Sequence, residues 1–228
     1  RKAGKTEAAI EVLEALVRST PNAPRVLASA GDTYREAGDL AKAKIAYTQA
    51  LDLYDDADPL KWFIYYMRGI TNHTLDAWPE AEADFRAALA LRPDQPQVLN
   101  YLGYSMVERG INLDEALVMI ETAVAAEPQN GAIVDSLGWV LFQLGDYAAA
   151  VGHLEDAASL IPVDPIINDH LGDAYWAVGR FIEAQFQWNR ALSFDPTEED
   201  AAKIRRKLEI GLDAVRAEDG EPPLAQVK

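Results

Sequence analysis

The sequence has no cysteine, and its 21 lysines and arginines face 37 aspartates and glutamates. The missing cysteine removes disulfides, thiol chemistry and cysteine-ligated metals, and leaves the cellular compartment open. The shortage of basic residues, a formal net charge of −16, argues against nucleic acid and anionic membrane surfaces, both of which call for clustered Lys and Arg. No apolar run approaches the ~20 residues of a membrane span. Glycine-rich phosphate-binding loops are absent. His73, His153 and His170 are the only histidines, and none stands in a His-x-x-x-His or Glu-x-x-His spacing, so metal catalysis lacks a ligand set. The loop Asp55-Asp56-Ala57-Asp58 lacks the spaced glycine and distal glutamate of a calcium loop and reads as a solvated linker. No cofactor is expected.

What the chain has is a repeat. Leu137-Gly138 recurs as Leu171-Gly172, 34 positions later. With the blocks Gly131 to Asp164 and Pro165 to Glu198 superposed, glycine stands at the eighth and fifteenth places of both (Gly145, Gly179). Alanine stands at the twentieth (Ala150, Ala184) and twenty-seventh (Ala157, Ala191), and proline at the thirty-second (Pro162, Pro196). Large residues take most of the fourth, seventh, eleventh and twenty-fourth places. The pattern describes two amphipathic helices per unit, A and B, with small residues where their backbones approach and large ones between neighbouring units. Proline cannot supply the N–H of an interior helical turn, so helix B must stop near Pro93, Pro128, Pro162 and Pro196. Start signals agree: Asp58 before Pro59, Asp94 near Pro96 and Asp164 before Pro165 combine an N-capping side chain with a first-turn proline, and Asp39, Asn112 and Asp146 begin B helices.

Followed in both directions, the register gives repeats 24–61, 62–95, 96–130, 131–164 and 165–198. Gly31, Gly69 and Gly103 take the eighth place of the first three. One extra residue falls near Asn112, and four lengthen the loop after Leu53. Before them, Gly4, Ala9, Leu13 and Pro21 fit the second half of a repeat over 1–23, with Leu16 standing where a small residue belongs. A chain that begins with Arg partway through a repeat is expected to continue the array upstream. After Pro196, Thr197-Glu198-Glu199-Asp200 starts a capping helix over 198–217, with Ile204, Leu208 and Leu212 on one stripe. The array spans 1–217, and Asp-Gly-Glu-Pro-Pro opens an extended tail over 218–228.

The spacing of these small and large residues resembles the tetratricopeptide repeat family. The resemblance implies an all-α α-α superhelix of antiparallel helix pairs, a non-catalytic scaffold or adaptor that binds a peptide or helix of a partner protein. In that family helix A lines the concave face, with its second, fifth, ninth, twelfth and thirteenth places turned into the groove. Carried over, these are Arg25, Ala28, Asp32 and Arg35; Phe63, Tyr66, Ile70 and His73; Gln97, Asn100, Tyr104 and Val107; Asp135, Trp139 and Phe142; and Ile166, Asp169, Asp173 and Trp176. Aromatic side chains there offer large apolar area at small entropic cost, and three aspartates beside Trp139 and Trp176 make that end negative. A partner with Lys or Arg between apolar anchors would fit. The alternative is that the aromatics pack on neighbouring A helices and the aspartates are merely solvated.

Ala28 with Asp32, or Tyr66 with Ile70, does not supply the carboxylate clamp by which some family members grip a chaperone's C-terminus. Asp135-Ser136-Leu137-Gly138-Trp139 and Asp169-His170-Leu171-Gly172-Asp173-Ala174-Tyr175-Trp176 are similar to the C-terminal arrays of bacterial envelope tetratricopeptide proteins. Some of those are lipoproteins that dock a carboxy-terminal processing protease, which would put this chain in a bacterial periplasm or envelope. Ser136 and His170, with Asp135 or Asp169 near, superficially suggest a nucleophile and base, but no oxyanion element accompanies them, and repeat position accounts for their proximity. The sequon Asn72-His73-Thr74 falls inside a helix A, where no glycan is read. A second class, structural self-assembly, would use the first B helix, whose Ile10, Leu13 and Val17 lose their cover and could pair two copies.

Overall fold

The computed structural model describes residues 2–55 and 57–224, including the side chains of 10–55 and 57–224. The packing expected of Gly4 and Ala9, the aspartate Asp56 and the last four residues of the tail lie outside that description. The described residues form helices joined by short turns, with no strand among them. The chain divides between Val98 and Leu99 into two compact units. The first holds α1 (Lys2–Ser19), α2 (Pro24–Glu36), α3 (Leu40–Leu53), α4 (Lys61–Thr74) and α5 (Trp78–Leu91). α6 (Pro96–Glu108) begins at its end. The second holds α7 (Leu113–Ala126), α8 (Gly131–Gln143), α9 (Tyr147–Leu160), α10 (Pro165–Ala177), α11 (Phe181–Leu192), α12 (Glu198–Ile210) and α13 (Leu212–Glu218).

Each repeat is therefore one helical hairpin, α2 with α3, α4 with α5, α8 with α9 and α10 with α11, and each B helix packs on the following A helix within its unit. α5, α7 and α9 stop two residues short of Pro93, Pro128 and Pro162, because proline also bars its predecessor from helical dihedrals. α11 stops at Leu192, and Asp195 then takes a left-handed φ of 52° before Pro196. Asp39 and Asp146 cap their helices through the amides of Lys42 and Ala149, Asp164 takes the amides of Ile166 and Ile167, and Thr197 takes that of Asp200. Two start signals act differently. Asp58 accepts from the Leu60 amide in the turn before α4, which begins at Lys61 rather than Pro59. Asn112 stands before α7 in the left-handed region, φ 50°, which absorbs the extra residue without a side-chain cap.

The seams hold the strongest sequence expectation. A Cβ built on Gly31 would stand 2.5 Å from the Tyr47 ring, on Gly69 2.6 Å from Phe85, on Gly103 2.8 Å from Ile120 and on Gly138 2.5 Å from Leu154. On Gly172 it would collide with the Trp188 indole. All five glycines thus meet the twenty-fourth residue of their own repeat at a distance no Cβ tolerates, and the facing side chains Tyr47, Phe85, Ile120, Leu154 and Trp188 are fully buried. The alanines of the twentieth and twenty-seventh places, such as Ala150, Ala157, Ala184 and Ala191, show no exposed surface.

The segment read as one capping helix is two. α12 carries buried Ile204, but Gly211, at φ 85° and ψ 156°, ends it and starts α13, which holds Leu212. That backbone region is open to glycine almost alone, and Trp176 packs so closely that a Cβ there would lie 2.6 Å from its ring.

Candidate functional site

In the first unit the A-helix aromatics follow one another along α4. Phe63, 36% exposed, meets Trp62 edge-on at 5.7 Å and Tyr66 at 6.4 Å, and Tyr66 reaches the buried Phe85 ring at 6.2 Å. Ile70 packs with Tyr66 on the cluster built around Tyr47 and Met67, and His73 meets Trp78 at 6.2 Å. Asp32 is taken within its own repeat, accepting from the Tyr47 hydroxyl at 2.6 Å. Asn72 of the sequon lies buried in α4, its amide donating to Asp84 at 2.9 Å.

In the second unit the sequence assigns the groove to Asn100, Tyr104, Asp135, Trp139, Phe142, Asp169, Asp173 and Trp176. Trp139 is the centre of a stack, with Phe142 at 4.9 Å and 6° and His170 at 4.0 Å and 9°. Its indole N–H donates to Glu108 at 3.0 Å. Behind the stack, Asp135 on α8 and the His170 Nδ1 on α10 lie 3.0 Å apart, both buried. Burial opposes the imidazolium, but Asp135, with Asp169 and Asp173 behind it, holds the His170 pKa above its ordinary value. Tyr104 is pushed far above the usual phenol range by burial and by Glu108 and Asp135. The Asn100 side-chain oxygen is buried without a hydrogen-bond partner.

The aspartates of α10 are neither free nor merely solvated. Lys207 of α12 reaches both Asp169 and Asp173 at 2.8 Å, and the Trp188 indole donates to Asp173 at 2.9 Å. Burial lifts the Asp173 carboxyl above the carboxylate range despite Lys207, while the two aspartates hold Lys207 charged against its own burial. Trp176 donates to Asp213 of α13 at 2.7 Å and packs on Phe181 and Trp188. Tyr104, Glu108, Asp169, His170 and Asp200 line a cleft of about 180 Å³ together with Ile166 and Ile204. Asp169 is held by Lys207, Glu108 accepts the Trp139 N–H, and Asp200 accepts the Thr197 hydroxyl at 2.6 Å. The cleft suits a cationic side chain more than an anionic one.

Of the residues assigned from sequence, Asp135, Phe142 and Asp173 are buried, while Trp139, Tyr104 and Trp176 keep part of their surface. The residues sequence reasoning missed are His170 as the cation for Asp135, Lys207, Glu108 and Asp213. One of them had a signal. Lys207 stands one period of 34 after Asp173 and on the apolar stripe of α12, where a lysine needs a buried acid. The Ser136 hydroxyl is turned back onto the Ala132 carbonyl of its own helix, 3.0 Å away, and His170 answers to Asp135, so they form no nucleophile and base. Among the described residues no group of three His or carboxylate side chains could hold a metal, and no helix is long and apolar enough to cross a membrane.

Comparison with known proteins agrees with this geometry. A tetratricopeptide repeat family model matches residues 1–59, 28–96 and 112–165. A TPR repeat-containing protein of Pseudomonas aeruginosa is 32% identical over 110 residues, 48% of this chain and 18% of that protein. The cell division cycle protein 27 homolog A of Arabidopsis thaliana is 29% identical over 52% of this chain and 16% of its own. The chain thus spans less than a fifth of the curated relatives it matches. Among solved structures, the type IV pilus biogenesis factor PilW aligns at TM-score 0.71 and 18% identity over 86% of this chain and 89% of that one. Cut9, from the APC/C hetero-tetramer Cut9-Hcn1, aligns at 0.75 and 19% over 92% and 40%. YrrB, a TPR protein with an unusual peptide-binding site, aligns at 0.63 and 17% over 86% and 99%. These likenesses are of fold, the all-α helix-pair solenoid expected from the sequence. With the model matching well over half its length and the glycine seams in register, this chain belongs to the tetratricopeptide repeat family.

Proposed function

We propose that this chain is a non-catalytic adaptor that holds a peptide or helix of a partner protein on the faces of its A helices, through Phe63, Tyr66, Ile70 and His73 in the first unit and Asn100, Tyr104, Trp139 and Trp176 in the second. The observation that carries the reading is the Trp139 stack, a half-buried, rigid aromatic wall beside a cleft lined by Glu108 and Asp200. Rigid aromatic surface next to a carboxylate-lined cleft suits a ligand with Lys or Arg between apolar anchors. Asp135, Asp169 and Asp173 serve that face by holding His170 and Lys207 rather than by meeting the ligand. The finer role is that of a bacterial envelope adaptor for a carboxy-terminal processing protease, supported by the wording of repeats 131–164 and 165–198 and by a bacterial curated relative.

The test is selection from a peptide library on the immobilised chain. Enriched sequences should carry a basic residue flanked by apolar ones, and Trp139→Ala or Tyr66→Ala should weaken them at least about tenfold, a loss of ~1.4 kcal/mol, while the helical melt stays cooperative. Unaltered binding in both variants would remove the A-helix faces from consideration.

A second reading, self-association through α1, has one observation in its favour: Val12 is 71% and Leu16 44% exposed. Ile10, Leu13 and Val17 are half-buried, Val17 against the cluster of Leu27 and Tyr47, so the uncovered stripe differs from the one the sequence suggested. Sedimentation of Val12→Glu against the unaltered chain decides it: a dimer that persists in the variant eliminates α1 as the contact.

A further inference from the structure

The aromatic face of the second unit already has something on it. Gly211 turns the chain back, and the residues that follow lie against the twelfth-place aromatics of two successive repeats, Phe142 and Trp176. Asp213 accepts the Trp176 indole N–H. The Arg216 guanidinium stands 6.0 Å over the Phe142 ring. Leu212 and Val215 are buried, and Leu224 packs on the cluster that contains Phe142, Tyr147 and Tyr175. Arg216 also ties the strap together, donating to the Pro222 carbonyl at 3.1 Å and pairing with Glu221 at 2.8 Å.

We propose that residues 212–224 are a displaceable internal ligand, and that the partner is a short helix of the same chemistry: aliphatic residues at i and i+3, an arginine at i+4 and a further apolar anchor beyond. The inference rests on the reading of this face as the binding surface, and three observations carry it further. The strap presents a cation over an aromatic ring between apolar anchors, in a chain with few cations. Its helix has seven residues, too few to persist away from a surface. Its polar ties, Asp213 to Trp176 and Glu218 to Arg206 of α12, are all exposed, whereas Lys207 of α12 is locked into a buried pair of aspartates. α12 is therefore the fixed element, and α13 with its tail covers the face and opens locally.

The experiment uses the full chain and a fluorescein-labelled peptide of residues 210–224. In the unaltered chain, amides of Val215 to Glu218 should exchange at least about 100-fold faster than those of Leu171 to Tyr175. The full chain carrying Val215→Asp and Arg216→Glu should bind the peptide at least about tenfold more tightly than the unaltered chain, since the face no longer has to be vacated first. A peptide with Glu in place of its arginine should lose that gain. Exchange of α13 as slow as that of α10 makes the strap an integral cap and overturns the proposal, as does equal peptide binding by both chains. Slow exchange with Trp139→Ala still abolishing library selection would sink the strap and keep the binding face. Fast exchange with Trp139→Ala and Tyr66→Ala both without effect would sink the binding face instead.

Discussion

The Trp188 indole N–H donates to the Asp173 carboxylate at 2.9 Å, and the same two places of the first full repeat hold Tyr47 and Asp32 at 2.6 Å. In each case the twenty-fourth residue lies across the eighth-place glycine and sends a polar tip to the ninth. Where the ninth place holds Ile70, Tyr104 or Trp139, the twenty-fourth holds Phe85, Ile120 or Leu154, which have no polar tip to satisfy. A buried donor and its acceptor come and go together, because either alone would be stranded away from water.

That pairing predicts that Trp188→Phe costs roughly 1.5–3 kcal/mol for the lost bond to a charged acceptor, with a further cost for the smaller ring. Phe85→Tyr should also destabilise, since Ile70 offers its hydroxyl nothing. Urea unfolding of both variants checks the pair; a neutral Trp188→Phe would mean the bond contributes nothing to the seam.

Two glycines on facing helices should respond oppositely to alanine. A methyl on Gly138 would stand 2.5 Å from Leu154 and 3.3 Å from the Ala150 carbonyl, whereas one on Gly152 of α9 meets nothing within 4 Å. Gly138→Ala should therefore lower stability by about 1–3 kcal/mol through overpacking. Gly152→Ala should raise it by about 0.5–1 kcal/mol through helix propensity. Thermal melts of the two variants give the comparison, and shifts of the same sign would be inconsistent with the seam.

Lys207→Met strands Asp173 and Asp169 without their cation. Removing one partner of a buried pair costs on the order of 3–5 kcal/mol, and adding Asp173→Asn should recover a substantial part. No recovery in the double variant would show that Lys207 acts by packing rather than by charge.

Proton linkage gives a signed prediction for His170. Its folded pKa lies above 6.5 through Asp135, Asp169 and Asp173, outweighing burial, so the folded state binds its proton more tightly than the unfolded state. Its stabilisation is complete below pH 6.5 and is lost as pH rises through the folded value. Asp173, raised from 3.8 to about 6, slopes the same way at lower pH: its contribution is present below 3.8 and disappears by about 6. The stability difference between the unaltered chain and His170→Asn should thus shrink as pH increases above 6.5. A flat difference from about pH 6 to 9 would mean that Asp135 does not hold a charged imidazole.

The period, the helix ends and the five glycine seams were legible because small residues and prolines have few uses and repeat on schedule. Of the A-helix aromatics expected at the surface, Phe63, Trp139 and Trp176 keep exposed area while Phe142 is buried. What stayed hidden depended on residues outside the aligned repeats. Lys207 quenches two aspartates that the alignment left looking free. Gly211 breaks the stripe of Ile204, Leu208 and Leu212, since in a helix interior a lone glycine reads as a mild defect until its φ and its neighbour Trp176 are known. Asp58 misled for a local reason, holding a turn two residues ahead of the helix it seemed to begin.

The glycine seams and their polar tips close within a single hairpin, while Asp135 with His170 and Asp169 with Lys207 reach from one hairpin into the next. Duplicating or transplanting the hairpin 131–164 or 165–198 would carry its own lining along intact, yet would orphan one of these charges at the new junction. Lengthening the array by recombination at these two joints therefore depends on a matched acid and base arriving together.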